Sequence, residues 1–215
     1  MIVEEIMRTN VITLQKNDTI EKALKILTDN HLRHIPIVDD EDHVIGIVSD
    51  RDVRDAAPSI LRENGDFDAL KNPLEKIMST NVYTVHPLDF VEEVSAIFYE
   101  KEIACLPVTK DGKLVGVITE KDMLHTLIQL TGAHQPSSHI EIKVENVAGM
   151  LSKVTQIICK RKINIHSVLV YPFPKDDKYK ILVFRVQTMN PMLLINDLKQ
   201  EGYSVLWPNL PGMTL

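Results

Sequence analysis

A chain of 215 residues, 44% hydrophobic and 25% charged, has room for two domains, and its composition excludes collagen-like, largely disordered and disulfide-framework classes. The net charge of −6 is uneven, with 8 bases against 15 acids in residues 1–70 and 10 against 6 in residues 137–215. An acidic front half repels a phosphate backbone, and the one tight basic cluster, Lys160-Arg161-Lys162, has no interleaved aromatics, so no nucleic-acid partner is expected.

The chain repeats itself. Val3-Glu4-Glu5-Ile6-Met7 returns as Leu74-Glu75-Lys76-Ile77-Met78, an offset of 71 that Asn10-Val11-Ile12-Thr13 and Asn81-Val82-Tyr83-Thr84 keep. Ile35-Pro36-Ile37-Val38 answers to Leu106-Pro107-Val108-Thr109, and after a one-residue deletion Gly46-Ile47-Val48-Ser49 answers to Gly116-Val117-Ile118-Thr119. Each copy reads strand, helix, strand, strand, helix. Asp18-Thr19-Ile20-Glu21 has the spacing of a helix N-cap with its reciprocal acid, and Ile20, Ala23, Leu24 and Leu27 continue it as an apolar stripe. Asp89-Phe90-Val91-Glu92 opens the matching helix, with Val91, Val94 and Phe98 inward. Strands follow at 35–38 and 44–48, with a polar turn between them, and in the second copy Lys110-Asp111-Gly112 marks a hairpin. One copy is too small to bury a convincing core, so two are expected to pack sheet to sheet with a pair of equivalent clefts between them.

A linker runs from about Pro58 to Pro73 through Asn64-Gly65-Asp66, and a second covers 131–138. Beyond it a strand at 140–144, a helix with Leu151, Val154 and Ile158 on one face, strands at 164–171 and 180–186, a helix starting at Pro191 and ended by Gly202, and a strand at 203–207 give the ferredoxin-like order βαββαβ. The expected class is α+β, divided as copy 1 (1–62), copy 2 (63–132), linker (133–138) and tail unit (139–215).

The informative residues are Ser49-x-x-Asp52 and Thr119-x-x-Asp122, each following a buried-looking strand that begins with Gly and opening a helix. A hydroxyl followed three residues later by an acid is a capping box. A carboxylate there with free lone pairs could instead accept both vicinal hydroxyls of a ribose, as the acid of dinucleotide-binding folds does. Asp reaches back less well than the usual Glu, and its presence in both copies favours a ligand.

On these residues the first 130 or so positions resemble a tandem of CBS domains. The resemblance implies an adenosyl effector, with the ribose on Ser49 and Asp52, then on Thr119 and Asp122. It places adenine against Ile12, Thr13, Ile35 and Pro36, then against Tyr83, Thr84, Leu106 and Pro107. Phosphates need cations, and the copies differ there: Arg33 and His34 correspond to Ala104 and Cys105, Arg54 to Leu124, and Arg51 to Lys121. A phosphorylated adenosine is therefore expected in the cleft nearest the arginines and an adenosyl ligand with an uncharged tail in the other. The tail resembles an ACT domain through the strand at 139–144 and Asn146-x-x-Gly149-x-Leu151. That resemblance implies an interface loop, Asn146, Val147, Ala148, Gly149, Met150 and Leu151, able to hold an amino acid, although Ala148 stands where the family usually has Pro.

Other chemistry is thin. The eight His show no His-Glu-x-x-His, and there is no Cys-x-x-Cys, phosphate loop or nucleophile elbow, so neither a metal, a catalytic cofactor nor a catalytic residue is expected. Cys105 and Cys159 sit among apolar neighbours and are expected reduced and buried. No apolar run approaches the roughly 18 residues of a membrane helix, and the acidic start is no signal peptide, which points to the cytoplasm and no membrane partner. The layout resembles that of bacterial regulators tied to acetoin or acetate metabolism, which implies a homodimer acting on a protein partner that the sequence does not name. The rivals are a dimerising module that binds nothing, and an enzyme on an adenine nucleotide with Asp52 or Asp122 as general base; an Asp at a helix start is poorly poised for the latter.

Overall fold

The computed structural model describes residues 1–57 and 67–208; most of the expected first linker, 58–66, and the end of the expected tail unit, 209–215, lie outside the described residues. The chain forms two compact units, Met1–Leu124 and His125–Leu215.

In the front unit the first copy contributes α1 (Ile20–Asp29), β1 (His34–Val38), β2 (Val44–Ser49) and α2 (Asp50–Ala56). The second contributes α3 (Val91–Lys101), β3 (Cys105–Lys110), β4 (Lys113–Thr119) and α4 (Glu120–Thr131), and the boundary between units falls inside α4. β1 and β2 form one antiparallel hairpin, β3 and β4 the other, with the register broken at corresponding places, Ile37/Val38 and Val108/Thr109. The apolar stripes fall as their spacing predicts: Ile20, Ala23 and Leu27 of α1 and Val91, Val94 and Phe98 of α3 are buried.

Two expectations need correction. The acids Asp18 and Asp89 do not cap the helices. Each comes one residue too early and closes the preceding turn, accepting from the amides of Gln15 at 2.9 Å and His86 at 2.7 Å. Thr19 caps α1 through the Lys22 amide, and Phe90 precedes α3 without a side-chain cap. Nor is there a regular first strand in either copy. The lead segment of each copy pairs first with the other copy, as Arg8 with Val117 and Ser79 with Ile47, and then with its own β-hairpin, as Leu14 with Ile37 and Val85 with Val108. A segment that crosses between two partners stays beside neither long enough to build a ladder.

This exchange reaches the cores. Val3, Ile6 and Met7 of the first copy pack with Phe98, Leu106 and Ile118 of the second, while Leu74, Ile77 and Met78 pack with Ile20, Ile35 and Val48 of the first. The short 3-10 turns Val3–Glu5 and Leu74–Lys76 that carry these residues are held by matching bonds, Val3 N–H to the Asp89 carbonyl and Leu74 N–H to that of Asp18. The glycines of the repeated Gly-hydrophobic-x-Ser/Thr element make room for the crossing. A Cβ on Gly46 would stand 2.7 Å from Met78 Sδ, and one on Gly116 the same distance from Met7 Sδ.

In the second unit β5 (Ser138–Glu145), α5 (Met150–Lys160), β6 (Ile165–Pro172), β7 (Tyr179–Val186), α6 (Met192–Gln200) and β8 (Ser204–Trp207) follow in the expected order. The sheet runs β6-β7-β5-β8 with antiparallel neighbours throughout. Alternate residues of β5, Ile140, Ile142 and Val144, meet Val154 and Ile158 of α5 and Leu194 and Leu198 of α6 in one core with Phe184. Two side chains depart from expectation. Leu151 is exposed and Ile157 takes the inner face. Cys159 is also exposed, because one step past buried Ile158 turns the side chain about 100° around the helix. Beyond the end of α5, Arg161 forks onto both carboxylate oxygens of Asp197 on α6, holding the Asp197 carboxyl below its usual range.

Candidate functional site

The two clefts of the front unit grow out of the lead-segment exchange. At the end of β2, Ser49 and Asp52 form a closed capping box: Asp52 Oδ2 accepts from the Ser49 amide at 2.8 Å and its hydroxyl at 2.6 Å, and Ser49 Oγ accepts from the Asp52 amide at 3.2 Å. Thr119 and Asp122 repeat it at the end of β4, with 2.9, 2.6 and 3.4 Å. The box engages only one carboxylate oxygen, so capping and a ligand contact do not exclude each other. Oδ1 of Asp52 has no partner among the described residues. Oδ1 of Asp122 is held by Arg8, from Nη2 at 2.8 Å and Nε at 3.1 Å.

Beside Ser49 and Asp52 lies a cavity of about 330 Å³, and beside Thr119 one of about 440 Å³. Each is closed by the lead segment of the opposite copy. Ser79, Asn81, Val82 and Tyr83 face Ser49 and Asp52 in the first cleft, and Arg8, Asn10, Val11 and Ile12 face Thr119 in the second. The lead-segment residues expected against adenine thus lie across from the other copy's hydroxyl-acid pair and not from their own: Tyr83 lines one cavity with Ser49 and Asp52, and Ile12 the other with Thr119. Both apolar side chains are partly open, 41% and 37% exposed, and so available to a flat ring; Lys101 lies 5.5 Å from the centre of the Tyr83 ring.

The remaining expected residues divide. Arg33 and His34, with their counterparts Ala104 and Cys105, line both cavities and form a wall common to them. Arg51 lines the first, and Pro36 and Lys121 the second. Ile35 and Leu106 are completely buried in the two cores and line neither, because alternate strand residues face opposite sides. Thr13, Thr84 and Pro107 also lie outside both linings. Arg54 stands 3.4 Å from Asp50 one helical turn away and faces a separate groove between α1 and α2. Sequence reasoning missed Arg8, Ser79, Asn81 and Val82. Their one signal was that each directly follows, or lies close after, the repeated Ile-Met pair that the opposing glycine accommodates.

Two groups of the common wall, His34 and Cys105, are shifted by burial, while Arg33 stays exposed. Burial, aided by the neighbouring Arg33, pulls His34 below its ordinary value, although Asp50, Asp52 and Glu120 act the other way. Burial pushes the Cys105 thiol up to about 12, with Asp122 adding to the effect and Arg8 opposing it, so at neutral pH it is no nucleophile.

In the second unit, Asn146, Val147, Ala148 and Gly149 form an open loop before α5, with Gly149 at φ 84° and no atom within 4 Å of where its Cβ would be. Asn146 Nδ2 donates to the Asp177 carbonyl and Lys180 Nζ to that of Val147, both at 3.3 Å, while Met150 turns into the core. Among the described residues no group of three His, Cys, Asp or Glu could hold a metal ion, and no helix is long and apolar enough to cross a membrane.

The CBS domain family matches residues 3–59 and 74–129, and the AHAS small subunit-like ACT domain matches 140–193. The crystallised CBS domain pair of protein MJ0100, in complex with 5′-methylthioadenosine and S-adenosyl-L-methionine, is 29% identical, covering 63% of this chain and 98% of that one, with a TM-score of 0.52. A putative acetoin utilization protein (AcuB) from Vibrio cholerae is 31% identical over 64% of this chain and 98% of its own, with a TM-score of 0.55. A homoserine O-acetyltransferase of Methanococcus vannielii is 33% identical over 59% of this chain, yet the match spans only 25% of that relative's length and carries nothing about its reaction. A CBS domain-containing protein of Dictyostelium discoideum is 32% identical over 64% of this chain and 99% of its own length. With two exchanged copies and two clefts, and a ferredoxin-like unit later in the sequence, the chain belongs to the CBS domain family, as a tandem pair followed by an ACT-like domain.

Proposed function

We propose that the chain is a regulatory protein that senses an adenosyl compound in its CBS clefts and has no catalytic role of its own. The observation that carries this is the first cleft. There a carboxylate oxygen stands without a partner among the described residues, beside a hydroxyl, a partly open tyrosine ring, Arg33 and Arg51. A ribose fits the Asp52 oxygen, adenine the Tyr83 ring, and a charged tail the arginines. The likeness to the MJ0100 pair, whose complex holds two adenosyl compounds, supports the ligand class. AMP, ADP, ATP, NAD and S-adenosylmethionine all belong to it. Binding that favours one arrangement of the exchanged copies would be transmitted to the ACT-like domain or to a protein partner.

The likeness to the Vibrio cholerae protein supports a link to acetoin or acetate metabolism. Both families regulate rather than catalyse, which supports action through a partner protein; we take the chain to be a homodimer working in the cytoplasm, with an amino acid at the Asn146–Gly149 loop as a further effector. A second reading, a dimerising module that binds nothing, draws on the capping boxes, which already occupy one oxygen of each acid.

Isothermal titration of the full chain with adenosine, AMP, ATP and S-adenosylmethionine separates the two. Sensing requires saturable binding that Asp52→Asn weakens, and a ligand at a hundred times its dissociation constant raises native stability by about 2.7 kcal/mol. Absence of heat and of any thermal shift across the set would leave the dimerising module. Unchanged nucleotide after incubation with ATP separates both from an enzyme.

A further inference from the structure

We propose that Arg8 is a latch on the second cleft, making that cleft selective for adenosyl ligands that carry a phosphate. The inference rests on the sensor reading above and adds a difference between the two clefts. Arg8 and Ser79 hold the same place in the repeat, 71 positions apart and directly after Met7 and Met78. Each faces the acid of the opposite copy, but only Arg8 is a cation. Its guanidinium takes Oδ1 of Asp122 through two nitrogens, at 2.8 and 3.1 Å, while Oδ2 of the same acid is taken by the Thr119 amide and hydroxyl. Arg8 lines the second cavity and Asp122 does not; in the first cleft Asp52 lines the cavity directly. The carboxylate is largely buried, its side chain 13% exposed, whereas the Arg8 side chain is 55% exposed and so able to swing away.

A ribose entering the second cleft therefore competes with a charged donor for the oxygen it needs. Two neutral hydroxyls are a weaker match to a carboxylate than a guanidinium fork, so adenosine alone does not displace Arg8. A phosphorylated ligand exchanges partners: the hydroxyls go to Asp122, and the released guanidinium, with Lys121 and Arg33 on the same cavity, goes to phosphate oxygens. In the first cleft Ser79 offers no such opposition, and that cleft takes adenosine with or without a charged tail, so the demand for phosphate falls on the second cleft and not, as the count of arginines in the repeats suggested, on the first.

The test is calorimetric titration of the full chain with adenosine and with AMP. Wild type is expected to take up one equivalent of adenosine and two of AMP. Arg8→Ser should reveal a second adenosine equivalent, at least tenfold tighter than any second-cleft binding in wild type, and lower the AMP-over-adenosine preference of that cleft by at least tenfold. Ser79→Arg should weaken adenosine binding in the first cleft by about tenfold, which keeps the idea testable should Arg8→Ser disturb folding. Asp52→Asn identifies the first-cleft equivalent in each titration. Two adenosine equivalents in wild type, or an adenosine stoichiometry that stays at one in Arg8→Ser, would overturn the latch while leaving the Asp52-dependent sensor intact. No binding of either compound by wild type or any variant would overturn the sensor reading and the latch with it.

Discussion

Replacing Gly116 by alanine probes the seam on which both clefts depend. The new Cβ would lie 2.7 Å from Met7 Sδ, 3.2 Å from Met7 Cγ and 3.0 Å from the Arg8 carbonyl oxygen. Carbon atoms rest comfortably at about 3.5–4.0 Å. The thioether can rotate aside, but the carbonyl belongs to a backbone paired with Val117 in both directions, at 2.9 and 3.0 Å. The lead segment must retreat, stretching both bonds. Overpacking of this kind costs about 1–3 kcal/mol, and the restricted unfolded chain returns about 0.4–1 kcal/mol, leaving a net loss of about 1–2 kcal/mol. At about 2–4 °C per kcal/mol for a chain of this size, the melting transition of the front unit should fall by about 2–8 °C in differential scanning calorimetry. Gly46→Ala should cost less, because the nearest backbone oxygen there, that of Ser79, is 3.3 Å away and the 2.7 Å contact is with the movable end of Met78. Adding Met7→Ala to Gly116→Ala should recover only part of the loss, since the carbonyl contact stays. A Gly116→Ala protein as stable as wild type would refute the close crossing.

Ser49→Ala removes the hydroxyl that accepts from the Asp52 amide at 3.2 Å, so chemical denaturation should register a loss of about 1 kcal/mol. The folded value of His34 lies below its ordinary 6.5, so the unfolded chain takes up a proton that the native state resists. Its contribution to stability is therefore complete above about pH 6.5 and falls as the pH drops below that. Melting temperature should decline between pH 7.5 and 5.5 in wild type and less steeply in His34→Asn; equal slopes would show that His34 is not the group responsible. A disulfide reagent applied to the native protein should label Cys159 quickly and Cys105 only on unfolding, since one thiol is exposed and the other is buried with its value near 12. Labelling of both at one rate would contradict the burial of Cys105.

The repeat was legible because its residues recur in register, and the class of each element because its period is local: Ile20, Ala23 and Leu27 need only the turn of a helix to find one face. The second unit was legible for the same reason, through the alternation of Ile140, Ile142 and Val144. The partner of each lead segment was not. Nothing in Asn10-Val11-Ile12 says whether it lies beside Ile47 or Val117, because the two copies present nearly the same surface and the choice is made by chain connectivity and close packing at Gly46 and Gly116. The capping boxes at Ser49 and Thr119 were visible as spacing, but spacing does not tell which carboxylate oxygen is taken or that Arg8 reaches Asp122 from 114 residues away. Cys159 and Leu151 were misjudged for a simpler reason: an apolar sequence neighbourhood surrounds the whole helix, while burial follows only one of its sides.

The exchange of Val3 and Leu74 between the two cores means that neither half of the internal duplication is a finished object. Were the backbone cut between residues 57 and 67, each fragment would carry the lid of its sibling and lack its own, and neither hollow would exist until the fragments met again. Evolution faces the same arithmetic: a change in the opening turn of one half is read out in the pocket of the other, so the two cannot drift apart independently.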